Sequence, residues 1–589
     1  MSSKTKIKDN SQSFLKGALV LSISMIAVKI CGLLQKVLLT NLYGTLDENY
    51  GAFGSALFAN AYEIYVPLFT LATVGFPIAV SRLVSESYAK ERYKDVRQVY
   101  RVARPLFVVM GLVCFLLMTV GSFWYVDFIN SPYSLKAMLV LAPTIFFGCL
   151  VSVYRGYFEG MRNMTPTAIS EVIEAVSKIA IGVVLSYVVI NVGKNEFANS
   201  GTVFGQAFGN IDDAYRTLIS YSVAASIFGI TMGSVLSFLY LRIRFAIHKG
   251  DIPEEYYQNS LEAISKKATL VKMIKTALPV GIGALALSVS STIDATIIQN
   301  LMYNMAINNT DALLAEFNHV LDNTISSNPD ETTIHTCIWG YYSASLTLIS
   351  IVVAVTQVFG TSAMPNVTNA YTKGNREELK KSMETVLRLT TIVTFPCGIG
   401  LLVLARPILS LVFFTDPNIA TFGYESLQVM GIAILFMGTL TPICSMLQGV
   451  GKVNHTMFIY LFGTGIKILV SFLFARIVSI NIVGSAIGSL VSYFLMCTVA
   501  LSLLIRHTRI VPNFNKFFLK PLLSAVICGV AAYFAYYVLG LHVILSIAFA
   551  AVFYLIALII LRTFDKSDII ALPKGKNIVI ILEKLHLIG

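Results

Sequence analysis

Apolar runs of about twenty residues recur along nearly the whole chain, each long enough to cross a bilayer as a helix. A segment in lipid has no water for its backbone N–H and C=O groups, so it must close those hydrogen bonds internally. The pattern predicts fourteen spans, at 15–40, 53–81, 102–126, 135–155, 167–190, 217–241, 273–300, 336–364, 386–413, 425–447, 455–478, 482–505, 518–539 and 542–562. The expected fold class is an all-α polytopic membrane protein. Of 589 residues, 56% are hydrophobic and 13% charged, about half the ~25% charge of a soluble domain.

The charges fall where a fourteen-span topology puts them. Lys and Arg crowd the connections from Lys90 to Arg104, Arg242 to Lys275, Lys373 to Arg388 and Arg506 to Lys520. The 301–335 connection has none and carries Asp311, Glu316, Asp322, Asp330 and Glu331. This bias toward positive inner loops predicts that both termini are cytoplasmic. The net charge of +12 is then an orientation signal, and no basic patch interleaved with aromatics suggests nucleic acid as a partner. Basic residues at the start and Lys29 and Lys36 within the first run argue against a cleaved signal segment. Seven cysteines lie in apolar runs and Cys337 beside a polar loop, a spacing that indicates neither a disulfide framework nor a metal site.

The chain reads as one unit built twice. Lys178 lies in an apolar run and Lys467 in a similar one 289 residues further on; Glu159-Gly160 precedes the first as Gln448-Gly449 precedes the second. Pro77 before a charged stretch has a counterpart in Pro365, while the alignable starts at Ala18 and Ala277 are offset by 259 residues. The difference fits an added segment between about Leu301 and His335. The expected organisation is a six-helix lobe at 1–241, a basic cytoplasmic linker at 242–272, a second six-helix lobe at 273–506, two further helices at 507–562 and a cytoplasmic tail at 563–589. Two parallel six-helix repeats suit a secondary transporter whose halves rock about a central cavity. No GxxxxGK[ST] phosphate loop or nucleotide-binding domain is present, and no cofactor is expected.

An ionised side chain inside a span costs at least about 2.5 kcal/mol, so such residues mark interiors and wet paths. Lys29 and Lys36 in the first span are seven apart and share a face, with Gln35 beside them. Lys178 follows Glu171 by seven residues and Glu174 by four, so it can pair with Glu174 or meet cargo. Arg82 sits at the mouth of the second span, suited to anionic headgroups or to orienting its loop. Glu63 and Asp294, the latter after the hydroxyl-rich SVSSTID, are candidates for ion coupling. Lys29, Lys36, Arg82, Lys178, Gln35 and Lys467 are the candidate cargo-binding set. These cations favour an anionic cargo. Pro67, Pro77, Pro279 and Pro365 can bend their helices.

The stretches FLKGALVLSISMIAVKICGLLQKVLLTNLYG, FPIAVSRLVSE, YRGYFEGMRNMTPTAISE and LQGVGKVNHTMFIY, in that order and spacing, resemble the multidrug/oligosaccharidyl-lipid/polysaccharide exporter superfamily. Within it the resemblance is to the branch of stage V sporulation protein B, YtgP and the MurJ flippases, and it runs through essentially the whole chain. It implies a bacterial cell-membrane flippase, not an enzyme, that moves an undecaprenyl-diphosphate-linked sugar, most specifically the peptidoglycan precursor lipid II. The branch has a basic residue in the first span, then a glycine and a second basic residue; Lys29 and Gly32 match, while Gln35 replaces the second cation and Lys36 follows it. That favours Lys29 over Lys36. Asp294 resembles the acidic member of a sodium site in some relatives, whose partners have no match around Ile459 to Phe474. The implied partners are a lipid-linked diphosphate oligosaccharide and bilayer lipids, with cell-wall synthases a further candidate, and the protein is expected to be a monomer. Another lipid-linked oligosaccharide is the nearest alternative cargo; drug/cation antiport and a non-transport scaffold are more distant.

Overall fold

A computed structural model describes residues 14–47, 50–248, 252, 254–258, 260–309 and 331–563. Thirteen of the described helices are long and apolar enough to cross a membrane, each at an expected position. The remaining span, expected at 273–300, falls on a helix that runs unbroken over Lys266–Asn308, not all of whose side chains are described. The acidic 310–330 part of the long connection and the tail from 564 lie outside the described residues.

The chain divides into two compact units, one of described residues through 303 with 331–340, the other of 304–309 and 341–563. In the first unit, α1 (Phe14–Tyr43), α2 (Tyr50–Thr73), α3 (Gly75–Ala89), α4 (Tyr93–Phe128), α5 (Leu135–Gly160), α6 (Thr165–Ser200) and α7 (Ile211–Ile247) precede a short α8 (Glu254–Gln258) and α9 (Lys266–Asn308). The expected second span is thus two helices, α2 and α3, interrupted at Val74. Pro77 occupies the third position of α3, where its missing N–H costs no helical bond. Helix α7 packs against α5 and α6, and α1 lies along α6. Glycine permits the closest approach: a side chain on Gly182 of α6 would stand 2.6 Å from the Ser226 carbonyl of α7, and Gly229 abuts the Gly182 backbone directly.

Two connections in this unit are built rather than loose. Between α6 and α7 a two-residue hairpin pairs Thr202 with Ala207 and Val203 with Gln206. Glu196 at the end of α6 holds it, accepting from Thr202 Oγ1 at 2.8 Å and from the amides of Gly205 and Phe204 at 2.9 and 3.0 Å. The segment before α9 is strapped to the start of α4. Asp95, only 5% exposed, accepts from the Ile264 amide at 2.8 Å and pairs with Arg92 at 2.6 Å. Gln98 donates to the Ile264 carbonyl and Arg92 to that of Glu262 at 3.2 Å.

The second unit holds most of α10 (Glu331–Thr372), then α11 (Arg376–Val403), a short α12 (Ala405–Val412), α13 (Pro417–Gly449), α14 (Val453–Phe474), α15 (Val483–Thr508), α16 (Lys520–Tyr533) and α17 (Val543–Ile560). Helices α16 and α17 pack as a pair on α11 through Phe395, Ala525, Cys528, Ala532 and Tyr554, whose hydroxyl donates to the Ile392 carbonyl at 2.7 Å. One local backbone feature recurs at the two stretches on which the expected duplication rests. Glu159-Gly160 ends α5 and Gln448-Gly449 ends α13. Each is followed by one left-handed residue in the turn to the next helix, Arg162 (φ 57°) in the first copy and Gly451 (φ 81°) in the second. These two positions carry the same 289-residue offset as Lys178 and Lys467.

Candidate functional site

The ionisable side chains predicted for the first lobe converge only in part. Helix α5 continues to Gly160, more than a turn beyond its expected end, so Arg155 lies within the helix rather than at a loop boundary. Its guanidinium crosses to α6 and α7, where Nη2 stands 3.1 Å from Glu174 Oε2 and donates to Ser237 Oγ at 3.4 Å, while Nε donates to Ser170 Oγ at 2.9 Å. Ser234 Oγ donates to the other Glu174 oxygen at 3.5 Å. Both charged side chains are about four-fifths buried, with relative exposures of 21% and 20%. One turn earlier on α6, Glu171 accepts from Ser24 Oγ of α1 at 2.8 Å. Glu159 of α5 lies within electrostatic range of both Arg155 and Glu171. The result is a polar core where α1, α5, α6 and α7 meet.

Glu174 therefore pairs with Arg155 and not with Lys178. Arg155 is the residue that sequence reasoning passed over. Its signal was present, as a lone cation at the end of an apolar run, but in a span that ends at 155 it is the last residue and reads as a boundary charge. Lys178, half-buried one turn beyond Glu174, makes no hydrogen bond or ion pair among the described residues. Lys29 makes none either, and it is exposed on the same helical surface as Met25, Ile26 and Ile30. Lys36 is half-buried and under the charge of Glu63 on α2. Gln35 is 3% exposed, turned toward α6 with Nε2 3.4 Å from the side-chain position of Gly182.

The other candidates are dispersed. Arg82 is exposed on α3, four residues from Glu86, which pairs at 2.6 Å with Lys90. The side chain of Asp294 lies outside the described residues. Its neighbours on α9 dock the helix: Thr292 donates to the Glu63 carbonyl at 2.7 Å, and Ser288 to Thr70 at 3.1 Å. Lys467 is half-buried on α14, in surroundings unlike those of Lys178. At the repeat offset, Cys444, Tyr460 and Gly463 stand where the first copy has Arg155, Glu171 and Glu174. Cys444 and Ile459 are part of an apolar core with Met496. Among the described residues the charged network belongs to the first copy.

A family model described as "Polysaccharide biosynthesis protein" matches residues 14–365. The chain belongs to that family. A second model, MatE, matches residues 340–473 within the other half. Among curated relatives, the lipid II flippase MurJ of Bacillus subtilis (strain 168) is 22% identical over 545 residues, covering 90% of each chain. Stage V sporulation protein B of the same organism is 21% identical over 574 residues, covering 95% of this chain and 98% of its own. A solved structure of a lipid II flippase MurJ in an inward closed conformation superposes with a TM-score of 0.60 at 14% identity, covering 92% of this chain and 98% of that one. An inward-facing multidrug resistance MATE family transporter gives 0.56 at 12%, covering 83% and 99%.

These matches place this member of the polysaccharide biosynthesis family in the flippase branch of the multidrug/oligosaccharidyl-lipid/polysaccharide exporter superfamily, as the quoted stretches implied. The relatives whose names state an activity are flippases and transporters rather than enzymes. In that setting the polar core of the first unit is read for what it can bind and hold, and no proton or bond need be transferred by its carboxylates. Arg155 is paired with Glu174, whereas Lys29 and Lys178 make no ion pair among the described residues.

Proposed function

We propose that the protein is a flippase that carries an undecaprenyl-diphosphate-linked peptidoglycan precursor, lipid II, from the inner to the outer leaflet of a bacterial cell membrane. The observation that carries this reading is the pair of lysines, Lys29 and Lys178, set in membrane-crossing helices with no carboxylate paired to them among the described residues. Each is retained at a desolvation cost that an anionic cargo would offset. The likeness to relatives named as lipid II flippases supports the choice of cargo. A diphosphate brought to these ammonium groups replaces part of its lost hydration with charge-assisted hydrogen bonds, while its lipid tail stays in the bilayer. Lys36, Gln35, Arg82 and Lys467 are proposed to guide the headgroup, and Glu63 and Asp294 to respond to a coupling ion. Both termini are assigned to the cytoplasmic side, and the two repeats alternate access as the lobes rock.

Protein reconstituted in liposomes should move fluorescent lipid II between leaflets. Lys29→Ala and Lys178→Ala should each slow it by about tenfold, the equivalent of one charge-assisted contact. Wild-type rates from the folded double variant would refute the role given to the lysines. A second cargo, another lipid-linked oligosaccharide on the same carrier, is supported by the family description and by the likeness to stage V sporulation protein B. Faster translocation of that lipid than of lipid II in the same liposomes would select it.

A further inference from the structure

We infer that the paired ends of α14 and α15 form a binding site for a phosphate oxyanion, separate from the polar core of the first unit. Four basic side chains gather there: Lys452 and His455 at the start of α14, Arg506 and His507 in the last turn of α15. The two imidazoles meet edge to face with ring centroids 5.0 Å apart. The charges acting on His507 come from Lys452, His455 and Arg506, all of one sign. None of the four makes an ion pair with a carboxylate among the described residues. The contrast with the basic connection of the first unit is direct. There Lys90 is held by Glu86 and Arg92 by Asp95, each at 2.6 Å.

Two further features suit an oxyanion. His507 Nε2 is buried from solvent yet has no hydrogen-bond partner in the protein, although such an atom ordinarily finds one. Helix α14 begins at Lys452 without a side-chain cap; the His455 amide donates to the Lys452 carbonyl at 3.1 Å, which leaves those of Val453 and Asn454 beside the cluster. Uncapped N–H groups with the positive end of the helix dipole attract anions. Arg506 and His507 do complement the carbonyl end of α15, but that role needs neither His455 nor Lys452. A phosphate between the helix ends would accept from the α14 amides, from Lys452 and Arg506, and from an imidazole N–H. It would also relieve the mutual repulsion of the cluster. The ligand is a phosphate with net negative charge and no cation of its own, a monoester or a diphosphate, carried either by a lipid headgroup at the membrane surface or by a soluble molecule. The site does not depend on which cargo the protein moves.

The full-length protein in neutral detergent micelles tests this by titration with dioctanoyl phosphatidic acid, dioctanoyl phosphatidylcholine and inorganic pyrophosphate, followed by isothermal calorimetry. Phosphatidic acid should bind and phosphatidylcholine should not. In H455Q/H507Q the affinity should fall about tenfold or more, the effect of losing a charge-assisted contact. Lys452→Gln should do the same, and Lys90→Gln on the other unit should leave binding unchanged. Pyrophosphate binding with the same sensitivity to the variants would identify a soluble phosphate as the ligand class, and binding of phosphatidic acid alone a lipid headgroup. Wild-type binding in both the double variant and Lys452→Gln, or an equal loss in Lys90→Gln, would overturn the site. Circular dichroism melting confirms that each variant is folded, and liposome flipping of lipid II by the same variants separates this site from the transport reading.

Discussion

If the Arg155–Glu174 pair is a structural brace between α5 and α6, removing either partner should cost about as much as removing both. Arg155→Met leaves Glu174 facing Ser234 with its charge four-fifths buried; Glu174→Met leaves Arg155 with Ser170 and Ser237 alone. Stranding one member of a buried pair costs ~3–5 kcal/mol, and the residual exposure of both side chains places this pair at the lower end, about 3 kcal/mol for each single variant. The double variant removes the stranded charge and puts apolar atoms of similar length in contact. It still leaves the Ser234 and Ser237 hydroxyls without their partners at ~1.5 kcal/mol each, so it too should lose about 3 kcal/mol, a coupling energy of about 3 kcal/mol between residues in direct contact. Equilibrium unfolding in mixed detergent micelles measures all three. A double variant that loses the sum of the singles, about 6 kcal/mol, would show that the two residues act independently and refute the brace.

Asp95→Asn should release the strap before α9, because a neutral amide cannot hold Arg92 and serves the Ile264 amide more weakly; hydrogen exchange at 260–264 should speed up by about tenfold, with α4 itself unchanged. Gly229→Leu should disrupt the α6–α7 contact, since the added atoms meet the Gly182 backbone rather than a movable side chain; a loss of about 3 kcal/mol is expected from overpacking, read as a fall in folded yield and midpoint. Tyr554→Phe should loosen α17 from α11 by about 1 kcal/mol through the loss of its bond to the Ile392 carbonyl, detectable as earlier proteolysis between α16 and α17 with the rest of the chain intact.

Periodicity and length were enough to place the spans, because in a bilayer the backbone has few ways to satisfy itself and each way leaves its mark on consecutive residues. The shared spacing has a similar basis: Glu159-Gly160 and Gln448-Gly449 each end a helix, and a turn of the same length keeps the distance to Lys178 and Lys467. The end of a helix was less legible. The Arg155-to-Gly160 segment is polar enough to read as a connection, yet tertiary partners on α6 and α7 keep it helical and turn its cation inward. The hairpin at 202–207 was likewise hidden, since its order comes from Glu196 and from the left-handed Gly201, Phe204 and Gly205 rather than from any run of strand-forming residues.

By itself the sequence determined that this chain is a helical membrane protein with cations kept inside its spans, because those properties follow from local composition and from the cost of charge in lipid. Which cation meets which carboxylate was decided only by tertiary structure. Helical spacing allowed Glu174 to reach Lys178 on its own helix, but the folded bundle offers Arg155 from α5, together with Ser170, Ser234 and Ser237, at hydrogen-bond distance. A planar guanidinium with several fixed donors can satisfy a carboxylate and hydroxyls at once, whereas an ammonium on a flexible stem cannot match that arrangement. Among the described residues Lys178 is thereby left without a carboxylate partner, and at the 289-residue offset Cys444, Tyr460 and Gly463 stand in place of Arg155, Glu171 and Glu174.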